Sequence, residues 1–126
     1  MSAAYVDSSV IVAIAFEERR WGEVDRQIGA FDNLWASNLL EAEVRAAYAR
    51  TGKAFDVKVL SGMRWVIPDR PLTSEISIVT KTGYVKGADL WHLATALYMT
   101  PDPSQVAFIT LDERQGEVAR ALGFRV

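Results

Sequence analysis

Short apolar runs alternating with longer helix-patterned stretches constrain this chain more than anything else in its sequence. Ala4–Asp7, Leu34–Ala36, Trp65–Ile67 and Val106–Thr110 read as strands, and Phe124–Val126 as an added edge strand. Helices are expected from about Ser9 to Glu18, from Trp21 to Ala30, and from a Ser37 or Asn38 cap to Gly52. Further helices are expected over Phe55–Gly62, from Thr73 or Ser74 to about Gly83, over Ala88–Met99 and over Glu113–Leu122. Strands joined through helices imply a parallel sheet covered on both faces. The expected fold class is therefore α/β, a parallel β-sheet of about five strands flanked by helices. With no linker, repeat or low-complexity segment, a single domain over residues 1–126 is expected.

Composition narrows the chemistry. The 126 residues contain no cysteine, which excludes disulfides, thiolate nucleophiles and thiolate zinc sites, and a cytoplasmic location is the natural reading. The apolar run Val10–Phe16 is too short to span a bilayer, and no basic leading segment marks a secretory signal, so no membrane association is expected. A net charge of −2 does not suggest a nucleic-acid binder, yet a metal-dependent nuclease needs acids in its site, so charge does not decide.

Four acids carry the functional signal. Asp7 and Asp112 each follow a strand, where parallel sheets bind their ligands. Taken singly, each reads as a helix N-cap, and Asp89 reads as a complement to its helix dipole. Glu43 resists such a reading. It lies within the apolar stripe of Leu39, Leu40, Val44 and Ala47, whereas Glu41 points away. Asp89 sits at the edge of the Leu90, Leu93, Ala94 and Leu97 stripe. Four carboxylates directed into one notch repel one another, and a divalent cation relieves that; oxygen-only ligands favour Mg²⁺ or Mn²⁺.

Other motifs add little. His92, the single histidine, stands one turn from Asp89, off the main acidic cluster, and reads as a structural or hydrogen-bonding residue rather than a zinc ligand. No glycine-rich phosphate loop is present, and a Ser–His or Cys–His nucleophile has little support. Trp21, Trp35, Trp65 and Trp91 read as core.

The segments "YVDSSV", "SNLLEAEVRAA", "GADLWHLATAL" and "FITLDERQGEVARALGFRV" together resemble PIN-domain ribonucleases, with the VapC-type toxins of bacterial toxin–antitoxin pairs the nearest in pattern. The resemblance implies a PIN-like three-layer α/β/α fold. It also implies Mg²⁺- or Mn²⁺-dependent RNA cleavage, a homodimer, and a cognate VapB-like antitoxin whose tail fills the active-site groove. It places the catalytic, metal-holding acids at Asp7, Glu43, Asp89 and Asp112, with Ser9 and Thr110 as supporting hydroxyls. Glu113 ranks below Asp112 as a late ligand. Lys86 departs from the arginine many relatives carry there; with Arg45 it is a candidate RNA contact. Arg19, Arg20, Arg50 and Lys53 lie at helix ends.

Three other readings compete. A phosphatase with an aspartyl nucleophile normally carries a second aspartate two residues on, where this chain has Ser9. A phosphate-accepting receiver needs no interior glutamate at Glu43. A catalytically inactive PIN-like RNA- or protein-binding module keeps the same acids.

Overall fold

The architecture follows from a central strand that has no polar face. In the computed structural model, which describes residues 2–126, β1 (Ala3–Val6) has Ala4, Tyr5 and Val6 fully buried, as a strand covered on both sides requires. It pairs in parallel with β2 (Asn33–Ser37) and with β4 (Val106–Ile109), and β3 (Met63–Val66) extends the sheet beyond β2. The strand order is β3-β2-β1-β4. Chain direction across the sheet therefore reverses between β1 and β4, and crevices open above the carboxyl ends of strands at such a switch point.

Alternate side chains of β1 and β4 feed two separate cores. Ala4, Val6, Ala107 and Ile109 pack against Val10 and Ile11 of α1 (Ser8–Ala15), Val24 of α2 (Trp21–Gly29) and Leu40, Val44 and Tyr48 of α3 (Leu39–Thr51). On the other face, Tyr5 and Phe108 meet Val79 of α4 (Thr73–Thr82), Leu93 of α5 (Gly87–Met99) and Val118 of α6 (Glu113–Ala121). Tyr5 and Phe108 are register partners on neighbouring strands, and their rings stack at 5.3 Å between centroids, an arrangement worth about 1 kcal/mol beyond area burial. The expected α/β/α layering holds, over four strands among the described residues.

Local chemistry explains the departures from expectation. Phe124–Val126 makes one parallel bridge, Ala107 to Arg125, instead of a fifth strand. Gly123, at φ +105°, turns the chain off α6, and Arg125 beyond it makes two backbone bonds to β4. Phe55–Gly62 is not an α-helix but a 3₁₀ turn over Val57–Leu60. The Asp56 carboxylate accepts from Lys58 N at its start, the β-branched Val57 and Val59 disfavour propagation, and Gly62 ends the segment at φ +83°. α1 stops at Ala15 rather than Glu18, because Glu17 adopts a left-handed φ of 50°. β3 ends at Val66, leaving Ile67 exposed, and Trp21 lies at the surface rather than in a core.

Candidate active site

Each candidate acid is placed by a different element, and all four line one cavity of about 580 Å³ above the carboxyl ends of β1 and β4. Asp7 follows β1 directly and is only 3% exposed. It caps α1 as expected, accepting from Ser9 N at 3.0 Å on Oδ2, but capping occupies only part of its capacity. Asp112 caps α6 in the same way, accepting from Gln115 N at 2.8 Å. Asp89 lies in the first turn of α5, where a carboxylate suits the helix dipole, and Glu43 projects from α3.

The sequence misplaces the interior charge. Glu43 is half-buried, its side chain retaining 30% exposure, whereas Asp7 is the enclosed carboxylate. Glu43 starts from the opposite layer and reaches over the end of the sheet to His92 on α5, with Oε1 2.6 Å from Nε2. His92 is thus part of the acidic group and not off it, as its spacing from Asp89 implies; its Nε2 also lies 3.8 Å from Asp7 Oδ1. Helical spacing alone does not reveal that α3 and α5, on opposite faces, converge at the sheet's end.

Gln115 escaped the sequence reading altogether. It is fully buried beneath the acids, and its amide nitrogen donates to Asp7 Oδ1 at 3.2 Å and reaches the Asp89 carbonyl at 3.4 Å. Its amide oxygen accepts from the Thr110 hydroxyl at 2.7 Å, and that hydroxyl in turn accepts from Asp112 N at 3.0 Å. The one sequence cue is the Asp112-x-x-Gln115 spacing of a capping box. In the usual box the Gln side chain returns to the cap's N–H; here Thr110 takes that N–H and frees the amide for Asp7. Ser9 Oγ accepts from Leu111 N at 3.1 Å, tying the α1 start to the loop after β4. Every buried side-chain nitrogen or oxygen among the described residues has a partner.

Electrostatics tie the acids together. Burial, then the charges of Asp7 and Asp112, with a smaller contribution from Glu43, push the Asp89 carboxyl above its usual range, against an opposing pull from His92. The carboxylates still stand apart: among the described residues, no three Asp, Glu or His side chains form a group that could hold one ion. The donor chemistry nonetheless suits a hard divalent cation, since four carboxylates face one cavity and no sulfur ligand is available.

The cations expected at the notch are differently disposed. Arg45 turns away, bonded to Glu41 at 2.8 Å and seated 4.1 Å over the Phe55 ring, beside a separate cavity that includes Trp65. Lys86 is exposed just ahead of α5. Arg50, at the end of α3, is the basic residue that lines the acidic cavity, opposite Glu18. Glu113 faces an adjoining cavity of about 420 Å³ with Arg20 and Arg120, which meets the acidic one at Leu111 and Asp112.

The PIN domain family model matches residues 4–121 of the chain, a span that includes all four acids of the crevice. The chain belongs to the PIN domain family. PIN domains are generally nucleases, so this PIN domain is a nuclease-type module whose substrate class is nucleic acid. No curated protein matches the chain. Among the described residues, no helix of this PIN domain is long and apolar enough to cross a membrane.

Proposed function

We propose that this PIN domain is a ribonuclease that hydrolyses RNA phosphodiester bonds with Mg²⁺ or Mn²⁺, held by Asp7, Glu43, Asp89 and Asp112. The observation that carries the reading is the convergence of these four carboxylates on one cavity at the switch point of the sheet. A bound divalent ion supplies a water of lowered pKa and charge relief for the phosphate. The chain's own residues do the rest. Gln115 and Ser9 N hold Asp7 from two sides, so its carboxylate stays fixed as substrate enters. Thr110 keeps the Asp112 loop closed against α6. The enclosed floor of Tyr5, His92 and Gln115 keeps bulk water from reaching the acids from below. Arg50 offers a phosphate contact at the rim. No side-chain nucleophile is needed.

The finer biological role that fits is the toxin of a type II toxin–antitoxin pair, acting in the cytoplasm as a homodimer and restrained by a VapB-like antitoxin. Support for it is the VapC-like pattern of the segments around Asp7, Glu43, Asp89 and Asp112. The ribonuclease reading is tested by incubating purified protein with labelled total RNA in Mn²⁺, with EDTA and with the Asp89→Asn variant as controls. Discrete fragments that need both the metal and Asp89 are expected. Intact RNA with folded, metal-supplied protein favours the catalytically inactive binding module instead.

A further inference from the structure

Glu43 is held from another layer, by His92 on α5. Four elements contribute to one line of hydrogen bonds. The Ser37 N–H at the end of β2 donates to the Tyr5 hydroxyl oxygen at 3.1 Å. Tyr5, on β1, lies 2.7 Å from His92 Nδ1, and His92, on α5, lies 2.6 Å from Glu43 on α3. Tyr5 and His92 are both wholly buried.

Donor counting fixes the direction of this line. The Glu43 carboxylate can only accept, so its 2.6 Å contact with His92 Nε2 places a proton on that nitrogen. In the neutral ring Nδ1 is then the acceptor, facing the Tyr5 hydroxyl, whose oxygen receives the Ser37 N–H. At 3.8 Å, Asp7 is beyond hydrogen-bond reach of the same nitrogen, so the donation is specific to Glu43.

We propose that His92 is a positioning residue for Glu43, its Nε2–H aimed at the carboxylate and its Nδ1 backed by Tyr5 and the β2 backbone. The relay links the two helical layers across the end of the sheet and holds the Glu43 carboxylate over the notch. It rests on the divalent-ion reading above for its consequence, though not for its geometry. Groups that orient a metal-holding side chain affect metal affinity by about 10- to 100-fold.

Two measurements test it. Because His92 is the chain's single histidine, its ring nitrogens are assigned without ambiguity by long-range ¹⁵N NMR at pH 8. An Nε2–H tautomer is expected, and Nδ1–H overturns the proposal whatever the site binds. Mn²⁺ affinity, read by EPR, is then compared among wild type, His92→Gln, His92→Asn, Tyr5→Phe and Glu43→Gln. A Gln amide nitrogen falls near the Nε2 position, and an Asn amide falls near Nδ1. His92→Asn should therefore weaken Mn²⁺ binding about 10-fold or more, while His92→Gln retains most of it. Tyr5→Phe, which leaves His92 in place but removes its partner at Nδ1, should weaken binding several-fold and carries the test if His92→Asn does not fold. Loss of binding in Glu43→Gln with wild-type affinity in His92→Asn or Tyr5→Phe overturns the positioning role alone. Unchanged binding in Glu43→Gln, or none in wild type, overturns the divalent-ion reading together with it.

Discussion

The buried Gln115 amide is neutral where a carboxylate of the same shape would also fit, and Gln115→Glu tests why. The substitution replaces the N–H donor 3.2 Å from Asp7 Oδ1 with an acid oxygen at a wholly buried position. Two unit charges at that distance repel by about 5 kcal/mol at an effective dielectric of about 20. The introduced carboxyl escapes by taking up a proton, which at pH 7 costs about 4 kcal/mol from an unfolded-state pKa of about 4.3. Protonation is the cheaper route, so the predicted loss of stability at pH 7 is about 4 kcal/mol. The folded-state pKa of this group is raised, so the penalty is complete above it and shrinks as pH falls toward the unfolded value. At pH 5 about 1 kcal/mol remains. Urea unfolding in EDTA at pH 5 and pH 7 reads both values, with Gln115→Leu as an uncharged control. A Gln115→Glu penalty equal at the two pH values, or no larger than that of Gln115→Leu at pH 7, refutes the claim that Gln115 is a neutral prop set against a charged Asp7.

Asp89→Asn should raise the thermal midpoint of the metal-free protein while abolishing cleavage, because it removes a carboxylate that its neighbours and burial disfavour; a lower midpoint in calorimetry contradicts this. By the same sign, Asp89's raised pKa means that its ionised form costs stability, a penalty present above its folded pKa and absent below about 3.8, so the Asp89→Asn gain should vanish in acid. Leu40→Ala, at a fully buried position under α3, should cost about 2–5 kcal/mol by urea unfolding, and a loss under 1 kcal/mol would place Leu40 outside the core. Arg50→Ala should weaken RNA binding and lower the slope of log affinity against log salt by about 1, whereas Arg45→Ala should leave that slope unchanged. Equal slopes for Arg50→Ala and wild type count against Arg50 as a phosphate contact.

Strands and helices were legible where burial is two-sided or periodic. Ala4–Val6 and Val106–Ile109 are unbroken apolar runs, and both are central to the sheet or beside its centre. Asp7 stood out because a charge closes such a run. Segments governed by one local hydrogen bond or one glycine were not legible: the Asp56 cap and Gly62 replaced an expected helix, and the turn at Gly123 is followed by a single bridge instead of a fifth strand. In the site, the sequence pointed to the four acids but not to what holds them. Gln115 looks like an ordinary polar residue on a charged helix, and its role depends on Thr110 taking the N–H that the capping box would have used. The His92–Glu43 contact spans 49 residues and two layers, which no helical periodicity encodes.

The proposed ribonuclease chemistry requires the carboxylates of Asp7, Glu43, Asp89 and Asp112 to hold a divalent ion at the end of β1. Anomalous diffraction from crystals grown in Mn²⁺ tests it most directly. Manganese peaks are expected inside the acidic cavity, bonded to carboxylate oxygens of this group and lost in Asp7→Asn. Manganese found only on exposed acids elsewhere, with the cavity carboxylates still apart, would contradict it.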